Sequence, residues 1–110
     1  MDRKVAAVIT AITGDRVIIG QEELTHAIRE HFPMLPSDIL LELIERILKD
    51  PTKIFEQEKL SQYHLFYRLD NQRYLVVIVK KTLNGNYFSS MYSTGTSIRN
   101  SHKDLKQVKL

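Results

Sequence analysis

The chain contains no cysteine, which excludes a disulfide framework and a thiolate metal site. Glycine is scarce, with 4 residues, and no GxGxxG, Walker A or HExxH pattern occurs. The longest unbroken apolar runs, residues 5–9 and 75–79, are far shorter than the roughly 20 residues that a membrane-spanning helix needs. We therefore expect no metal, no cofactor and no membrane association. A cysteine-free chain also suits a reducing compartment, so we expect a cytoplasmic protein.

Acidic residues are few in the second half of the chain. Residues 59–110 carry nine Lys or Arg side chains but only Asp70 and Asp104 as acids, a net charge of +7, whereas residues 1–58 have a net charge of −4. A basic half favours a polyanionic partner, because Lys and Arg displace the counterions that phosphates condense. A nucleic acid is the polyanionic partner that we expect. The alternative is a basic tail that is merely solvated.

Length and periodicity together predict the fold. The 110 residues, 43% of them hydrophobic, suit one domain. We expect an α+β fold in which an N-terminal hairpin and two helices pack on one face of an antiparallel meander sheet. The predicted segments are an N-terminal hairpin at 1–20, two helices at 21–50, the sheet at 53–94 and a basic tail at 95–110.

Two amphipathic segments predict the helices. The first runs from Gln21 to Phe32 and ends at Pro33. The second begins at Ser37, the predicted N-cap, and ends before Pro51. Both segments repeat apolar residues at helical spacing. The predicted buried positions are Leu24, Ala27, Ile28 and His31 in the first helix, and Ile39, Leu40, Leu43, Ile44, Ile47 and Leu48 in the second.

After the helices the sequence alternates with the period of two that is typical of strands. The predicted strands are Gln62–Leu69, Tyr74–Thr82 and Tyr87–Tyr92. Asn84-Gly85 predicts a two-residue hairpin turn that pairs Lys81 with Phe88 and Val79 with Ser90. A two-residue turn at Asn71-Gln72 would pair Phe66 with Val77. This register predicts two faces of different character. The first face contains His64, Phe66, Arg68, Leu75, Val77, Val79, Lys81, Phe88, Ser90 and Tyr92. The opposite face is predicted to receive the helices and contains Tyr63, Leu65, Tyr67, Leu69, Tyr74, Val76, Ile78 and Met91.

A face that combines cations, hydroxyls and aromatic rings can neutralise phosphate and stack bases. Lys81 and Ser90 are expected to be diagonal neighbours on it, about 7–8 Å apart. The alternative is a sheet that keeps one face in water without any ligand.

Four short motifs resemble a known group of nucleases. They are residues 25–33, with the histidines of the first helix; residues 47–54, with Asp50-Pro51; residues 74–80; and residues 87–94. Together they resemble the phage and mobile-element nucleases of the barnase–EndoU–colicin–RelE fold group. The likeness covers roughly residues 20–100, although Phe32 is inserted before Pro33 and Ser93 stands where the group has proline.

The resemblance implies a metal-independent, toxin-type ribonuclease in which the ribose 2′-OH attacks the adjacent phosphate. His26, His31, Ser90 and Tyr92 match the motif positions and are the candidate catalytic residues. Such chemistry needs a proton acceptor, a proton donor and cations beside the phosphate. The candidate substrate-binding residues are Arg68, Lys81, Thr94 and Arg99.

Two other functions stay open at this point. One is an inactive module that binds RNA or DNA, and the other is a protein-interaction module. An antitoxin or immunity protein is a further candidate partner. The sequence alone does not determine the oligomeric state or the RNA sequence that would be bound.

Overall fold

Residues 4–95 and 105–109 are described by the structure, a computed structural model. The chain forms an N-terminal hairpin, two helices, a run of four strands and a short final strand. The elements are β1 (Val5–Thr10), β2 (Arg16–Gly20), α1 (Gln21–His31), α2 (Ser37–Lys49), β3 (Lys53–Gln57), β4 (Gln62–Arg68), β5 (Arg73–Thr82), β6 (Gly85–Gly95) and β7 (Lys106–Val108), with one 3-10 turn at Glu58–Leu60.

All the strands among the described residues belong to one seven-stranded sheet in the order β1-β2-β6-β5-β4-β3-β7. The predicted α+β class with an N-terminal hairpin is confirmed. The sheet is mixed, because β2 runs parallel to β6 and pairs with it at Asn86 and Tyr87. β7 falls within the segment predicted as a tail, and it pairs antiparallel with β3. Its three residues carry too little pattern to be recognised as a strand from sequence.

Helix α2 supplies much of the core. Leu40, Ile44, Ile47 and Leu48 are all fully buried, as their spacing predicts, while Ile39 is 40% exposed. The helix packs on α1 and on strands β1, β4 and β5. The prediction of Ser37 as N-cap is wrong: Pro36 occupies the cap, and the Ile39 N–H of the first turn donates to Asp38 Oδ1 at 3.0 Å.

Helix α1 packs mainly on β6. β2 ends at Gly20 and pairs only with the beginning of β6. Helix α1 lies against the rest of β6. Leu24 and Ala27 are buried, and the N–H of Phe32 donates to the carbonyl of Ile28 at the helix end. His31 was predicted to lie on the buried stripe and is instead exposed.

The predicted register around both hairpins is wrong, for reasons visible in the turns. Thr82 pairs with Gly85, so Gly85 closes the turn instead of lying at its centre. The Thr82 hydroxyl donates to the Gly85 carbonyl and accepts the N–H of Asn84, which holds the turn in this form. In the preceding hairpin, Leu69 N–H donates to the Arg73 carbonyl and encloses a three-residue loop.

The correct register gives the sheet two distinct faces. The inner face packs on the helices through Tyr63, Leu65, Tyr67, Leu75, Val77, Val79, Phe88 and Met91. The outer face is defined here by Lys53, Phe55, Gln57, Gln62, His64, Phe66, Arg68, Tyr74, Val76, Ile78, Lys80, Tyr87, Ser90, Tyr92 and Thr94. The inner side of β5 therefore carries Leu75, Val77 and Val79, which were predicted on the opposite face.

Asp70 holds the loop between β4 and β5. Its carboxylate accepts the N–H of Gln72 at 2.8 Å and of Arg73 at 2.9 Å, and it pairs with the Arg73 guanidinium at 3.2 Å. The Gln72 N–H first, and then the Arg73 groups, hold the pKa of Asp70 below its ordinary value of 3.8. The carboxylate therefore favours the folded state when it is ionised.

Replacing Asp70 with asparagine is expected to make the free energy of unfolding depend less on pH in the acid range. Because the pKa of Asp70 is lower in the folded state, its ionised carboxylate adds to the free energy of unfolding at pH values above 3.8, the pKa of the unfolded state. This contribution is lost as the pH falls through the lower pKa of the folded state. The Asp70→Asn variant keeps an acceptor oxygen but does not titrate. Urea denaturation from neutral to strongly acidic pH measures the difference. Equal losses of stability in both proteins would contradict this assignment.

Candidate nucleic-acid interface

The outer face is ordered in rows that cross β4, β5 and β6. Arg68, Tyr74 and Thr94 form the first row, and Phe66, Val76 and Tyr92 the second. The third row is His64, Ile78 and Ser90, and the fourth holds Gln62, Lys80 and Tyr87. Neighbouring strands lie about 4.8 Å apart, so members of one row are in reach of a single ligand group.

The charges on this face have one sign. Lys53, Arg68 and Lys80 lie on it, and none of its defining residues is Asp or Glu. The helical segment 21–50 has the opposite character, with seven acidic residues against three Lys or Arg. The molecule therefore presents a basic sheet surface and an acidic helical surface, and only the former suits a polyanion.

Aromatic rings lie between the cations. The Phe66 ring meets Phe55 edge-on at 5.2 Å and Tyr74 edge-on at 6.0 Å, measured between ring centroids. Phe66 and Val76 are fully buried, whereas Phe55, Tyr74 and Tyr92 are half-buried. Phe66 and Val76 form the apolar base of this surface, and the half-buried rings are accessible to a ligand.

His64 is the buried histidine of this surface, at 7% exposure. Its Nε2 lies 3.1 Å from Oε1 of Gln62, two residues away on the same side of β4. The sequence places His64 on this face but gives it no functional role. The contact with Gln62 fixes its ring at the centre of the polar surface.

His31 and Tyr92 are the predicted catalytic residues that the structure brings together. Their ring centroids lie 6.4 Å apart, with His31 at the end of α1 and Tyr92 on the second row. Burial raises the pKa of Tyr92, so its phenol stays protonated at neutral pH. Tyr92 therefore holds its proton at neutral pH, and the exposed imidazole of His31 lies beside it. A hydroxyl and an imidazole are kinds of group that acid–base chemistry uses.

His26 lies apart from this pair. It lines an open groove of about 500 Å³ between α1 and β6, together with Thr25, Arg29 and Ser89. The serine in the groove is Ser89, which occupies a bulge of β6, and not the predicted Ser90. The structure therefore does not join His26 with Ser90 and Tyr92 in one cleft.

The predicted substrate-binding residues likewise do not all lie at one site. Arg68 and Thr94 share the first row of the outer face, and the Arg68 guanidinium also donates to Asn71 Oδ1 at 2.8 Å. Lys81 is on the inner side, against Tyr63, so its predicted place beside Ser90 is wrong. Arg99 lies outside the described residues.

Lys81 is held firmly where it lies. Its Nζ donates to the Tyr63 hydroxyl at 3.3 Å and lies 4.5 Å from the ring centroid. The hydrogen bond to Tyr63 raises the pKa of Lys81. This lysine is therefore charged at neutral pH but acts as a contact between β4 and β5, and its neighbour Lys80 takes the exposed position on the outer face.

No family model, curated protein or solved structure matches this chain. The resemblance to the nuclease group thus stays a prediction made from the residues. Within the part of the chain that the structure describes, no helix has the length and apolarity to cross a membrane. The same residues include no group of three or more His, Cys, Asp or Glu side chains placed to hold a metal ion.

Sequence reasoning missed Lys80 because it assigned the wrong register to β5, and it missed Lys53 because it assigned no pairing to β3. One signal was present: Tyr74, Val76, Ile78 and Lys80 alternate strictly with Leu75, Val77 and Val79, which are wholly aliphatic. The aliphatic set is the better match for the helices, and choosing it would have put Lys80 on the outer face.

Proposed function

We propose that this domain binds single-stranded RNA on the outer face of its sheet. The observation that carries the proposal is the composition of that face, which combines three cations and half-buried aromatic rings with no carboxylate. Cations bind the phosphates, and rings such as those of Tyr74 and Tyr92 stack on unpaired bases. A cysteine-free RNA-binding protein of this kind suits the cytoplasm.

The spacing of the cations supports an extended strand as the ligand. Arg68 pairs with Tyr74, and Lys80 lies six residues further along β5. At 3.3 Å per residue these two positions are about 20 Å apart, and the aromatic rows lie between them. A single strand laid along this direction meets a cation at each end and rings in the middle. A duplex hides its bases and gains only the phosphate contacts.

Fluorescence anisotropy with a labelled single-stranded RNA tests the proposal. We expect binding at low salt that weakens as salt rises, with a slope of log K against log salt of about −2 for three phosphate contacts on a single strand. Duplex RNA of the same sequence is expected to bind more weakly, because its bases are hidden, and single-stranded DNA measures what the ribose 2′-OH contributes. Absence of binding to any of the three at low salt would refute the proposal.

RNA cleavage is a second candidate function, and the contact between His31 and Tyr92 favours it. The ring centroids of His31 and Tyr92 lie 6.4 Å apart, so the imidazole and the phenol would act as base and acid on a phosphate held beside the second row. The same RNA, incubated in EDTA and separated on a denaturing gel, reports cleavage. His31→Ala is expected to slow it by about a hundredfold or more. His26→Ala, on the same helix but in a different groove, is the matched control and is expected to cleave normally.

These expectations separate the two functions. Salt-dependent binding without cleavage supports a binding module and removes the nuclease. Cleavage that His26→Ala abolishes and His31→Ala does not would move the catalytic site to the groove beside Ser89. If RNA is cleaved, the resemblance to toxin-type nucleases implies an antitoxin or immunity protein as a partner.

A further inference from the structure

Strand β1 is an edge of the sheet, and its register is regular from Ala7 to Thr10. It pairs with β2 on one side, and no other strand among residues 4–95 and 105–109 pairs with it. No charged residue lies between Lys4 and Asp15, and Val5 and Val8 are 52% and 45% exposed. Such an edge is a template for a further strand, because its backbone groups have no partner in the sheet.

The free backbone groups of β1 can be assigned. Ala11 N–H donates to the Asp15 carbonyl at 2.8 Å, so these two residues form a hydrogen-bonded pair. Hydrogen-bonded and non-bonded pairs alternate along an antiparallel ladder. Ile9, which pairs with Val17, is then bonded towards β2, and the N–H and C=O of Val8 and Thr10 point away from the sheet.

The opposite edge of the sheet lacks these features. β7 has three residues, and Lys106 and Lys109 are exposed within it and just after it. Short edge strands that carry lysine resist the addition of another strand. The two edges therefore differ, and of the two β1 offers the uncharged ladder, which is regular from Ala7 to Thr10.

An acidic groove runs beside the β1 edge. It has a volume of about 360 Å³, and its lining combines an apolar floor with a carboxylate rim. Ala7, Val8, Ile9 and Leu41 form the floor, and Asp38, Glu42 and Glu45 of α2 form the rim. All three carboxylate residues are exposed. A strand added to β1 would direct every second side chain towards this rim.

We infer that the β1 edge binds an extended, basic peptide segment of a partner protein, which adds to the sheet as an antiparallel strand. Main-chain hydrogen bonds to Val8 and Thr10 supply affinity that is independent of sequence. Lysine or arginine at alternate positions pairs with Asp38 and Glu42, and with Glu45 in exchange for its contact with Lys49 Nζ at 3.4 Å, which supplies specificity. This surface is distinct from the outer face, so the inference does not depend on RNA binding.

A second copy of this chain is a poor occupant of the same edge. Its β1 strand carries no basic residue to meet the rim. A two-fold pairing of β1 with β1 would also bring the acidic rims of both α2 helices towards each other, and like charges oppose association. The charge of the groove therefore favours a basic partner.

The test uses the full chain and a capped peptide of roughly eight residues, the length of an ordinary strand, with lysine alternating with threonine. Anisotropy is expected to show binding that high salt weakens. Peptide with glutamate in place of lysine is expected not to bind. Hydrogen exchange is expected to slow at the Val8 and Thr10 amides when the lysine peptide is present.

Two pairs of variants give matched controls. Glu42→Lys is expected to weaken peptide binding about fivefold to tenfold, and Glu30→Lys, the same change on α1 away from the groove, is expected to leave it unchanged. Val8→Pro removes one outward N–H and is expected to abolish binding, whereas Val8→Thr keeps that N–H and the binding. Thermal denaturation verifies that each variant is folded.

Three results would overturn the inference. One is equal binding of the lysine and glutamate peptides, and another is equal weakening by Glu42→Lys and Glu30→Lys. The third is sedimentation of the chain alone as a dimer that Val8→Pro dissociates, which would assign the edge to a second copy.

Discussion

Replacing both Arg68 and Lys80 with glutamate is expected to weaken the binding of single-stranded RNA by about a hundredfold. Both side chains are exposed on the outer face, one in the first row and one in the fourth. Each reversal removes a phosphate contact and adds repulsion, a change of about 1.4 kcal/mol or tenfold per site. The salt slope is expected to become shallower by about 1 to 2, since two contacts are lost.

The matched control is the double variant Arg29→Glu and Arg46→Glu. Both arginines are exposed on the helices, and the control changes the net charge by the same amount. It is expected to change RNA affinity by no more than about threefold, because only the long-range field is altered. Since Arg68 also bonds to Asn71, the melting temperature of each variant is measured first. Equal losses of affinity in both double variants would mean that the outer face is not the binding surface.

Replacing Ile44 with alanine is expected to lower the free energy of unfolding by about 3 kcal/mol. Ile44 is fully buried in the middle of α2, which packs on α1 and on three strands. Truncation removes buried methyl and methylene groups and leaves a cavity that the helix and sheet cannot close. For a small domain this is a large part of the total stability.

Urea denaturation at neutral pH measures this loss as a lower midpoint at an unchanged slope. Glu42→Ala, half a turn away on the exposed side of α2, is the matched control and is expected to change stability by less than about 0.5 kcal/mol. A loss below about 1 kcal/mol for Ile44→Ala would mean that α2 does not pack on the sheet as described.

The location of the candidate site was only partly predictable. The sequence placed Arg68, Ser90 and Tyr92 on one face, and the structure does bring them to the outer face. The reason is that two differences in register cancel. The three-residue loop held by Asp70 turns β5 over relative to the prediction, and the bulge at Ser89 turns the rest of β6 back. Lys81 lies before the bulge and so falls on the inner side.

The contact between His31 and Tyr92 was not predictable from periodicity. The stripe of α1 placed His31 in the core with Leu24 and Ala27. The structure exposes it because α1 lies against the part of β6 that β2 leaves unpaired, and the helix ends beside Tyr92. Where a helix lies along a strand depends on the whole sheet, which a helical pattern does not encode.

The sequence by itself determined the helices, the strands of the meander and the N-terminal hairpin, because local spacing of apolar residues, proline and turn residues decides these elements. Tertiary structure alone decided which residues meet across the sheet. The pairing depends on side chains such as Asp70 and Thr82 that cap the turns, on the bulge at Ser89, and on the parallel contact of β2 with β6. Since side chains alternate between faces, a shift of one residue in any of these exchanges the two surfaces of a strand.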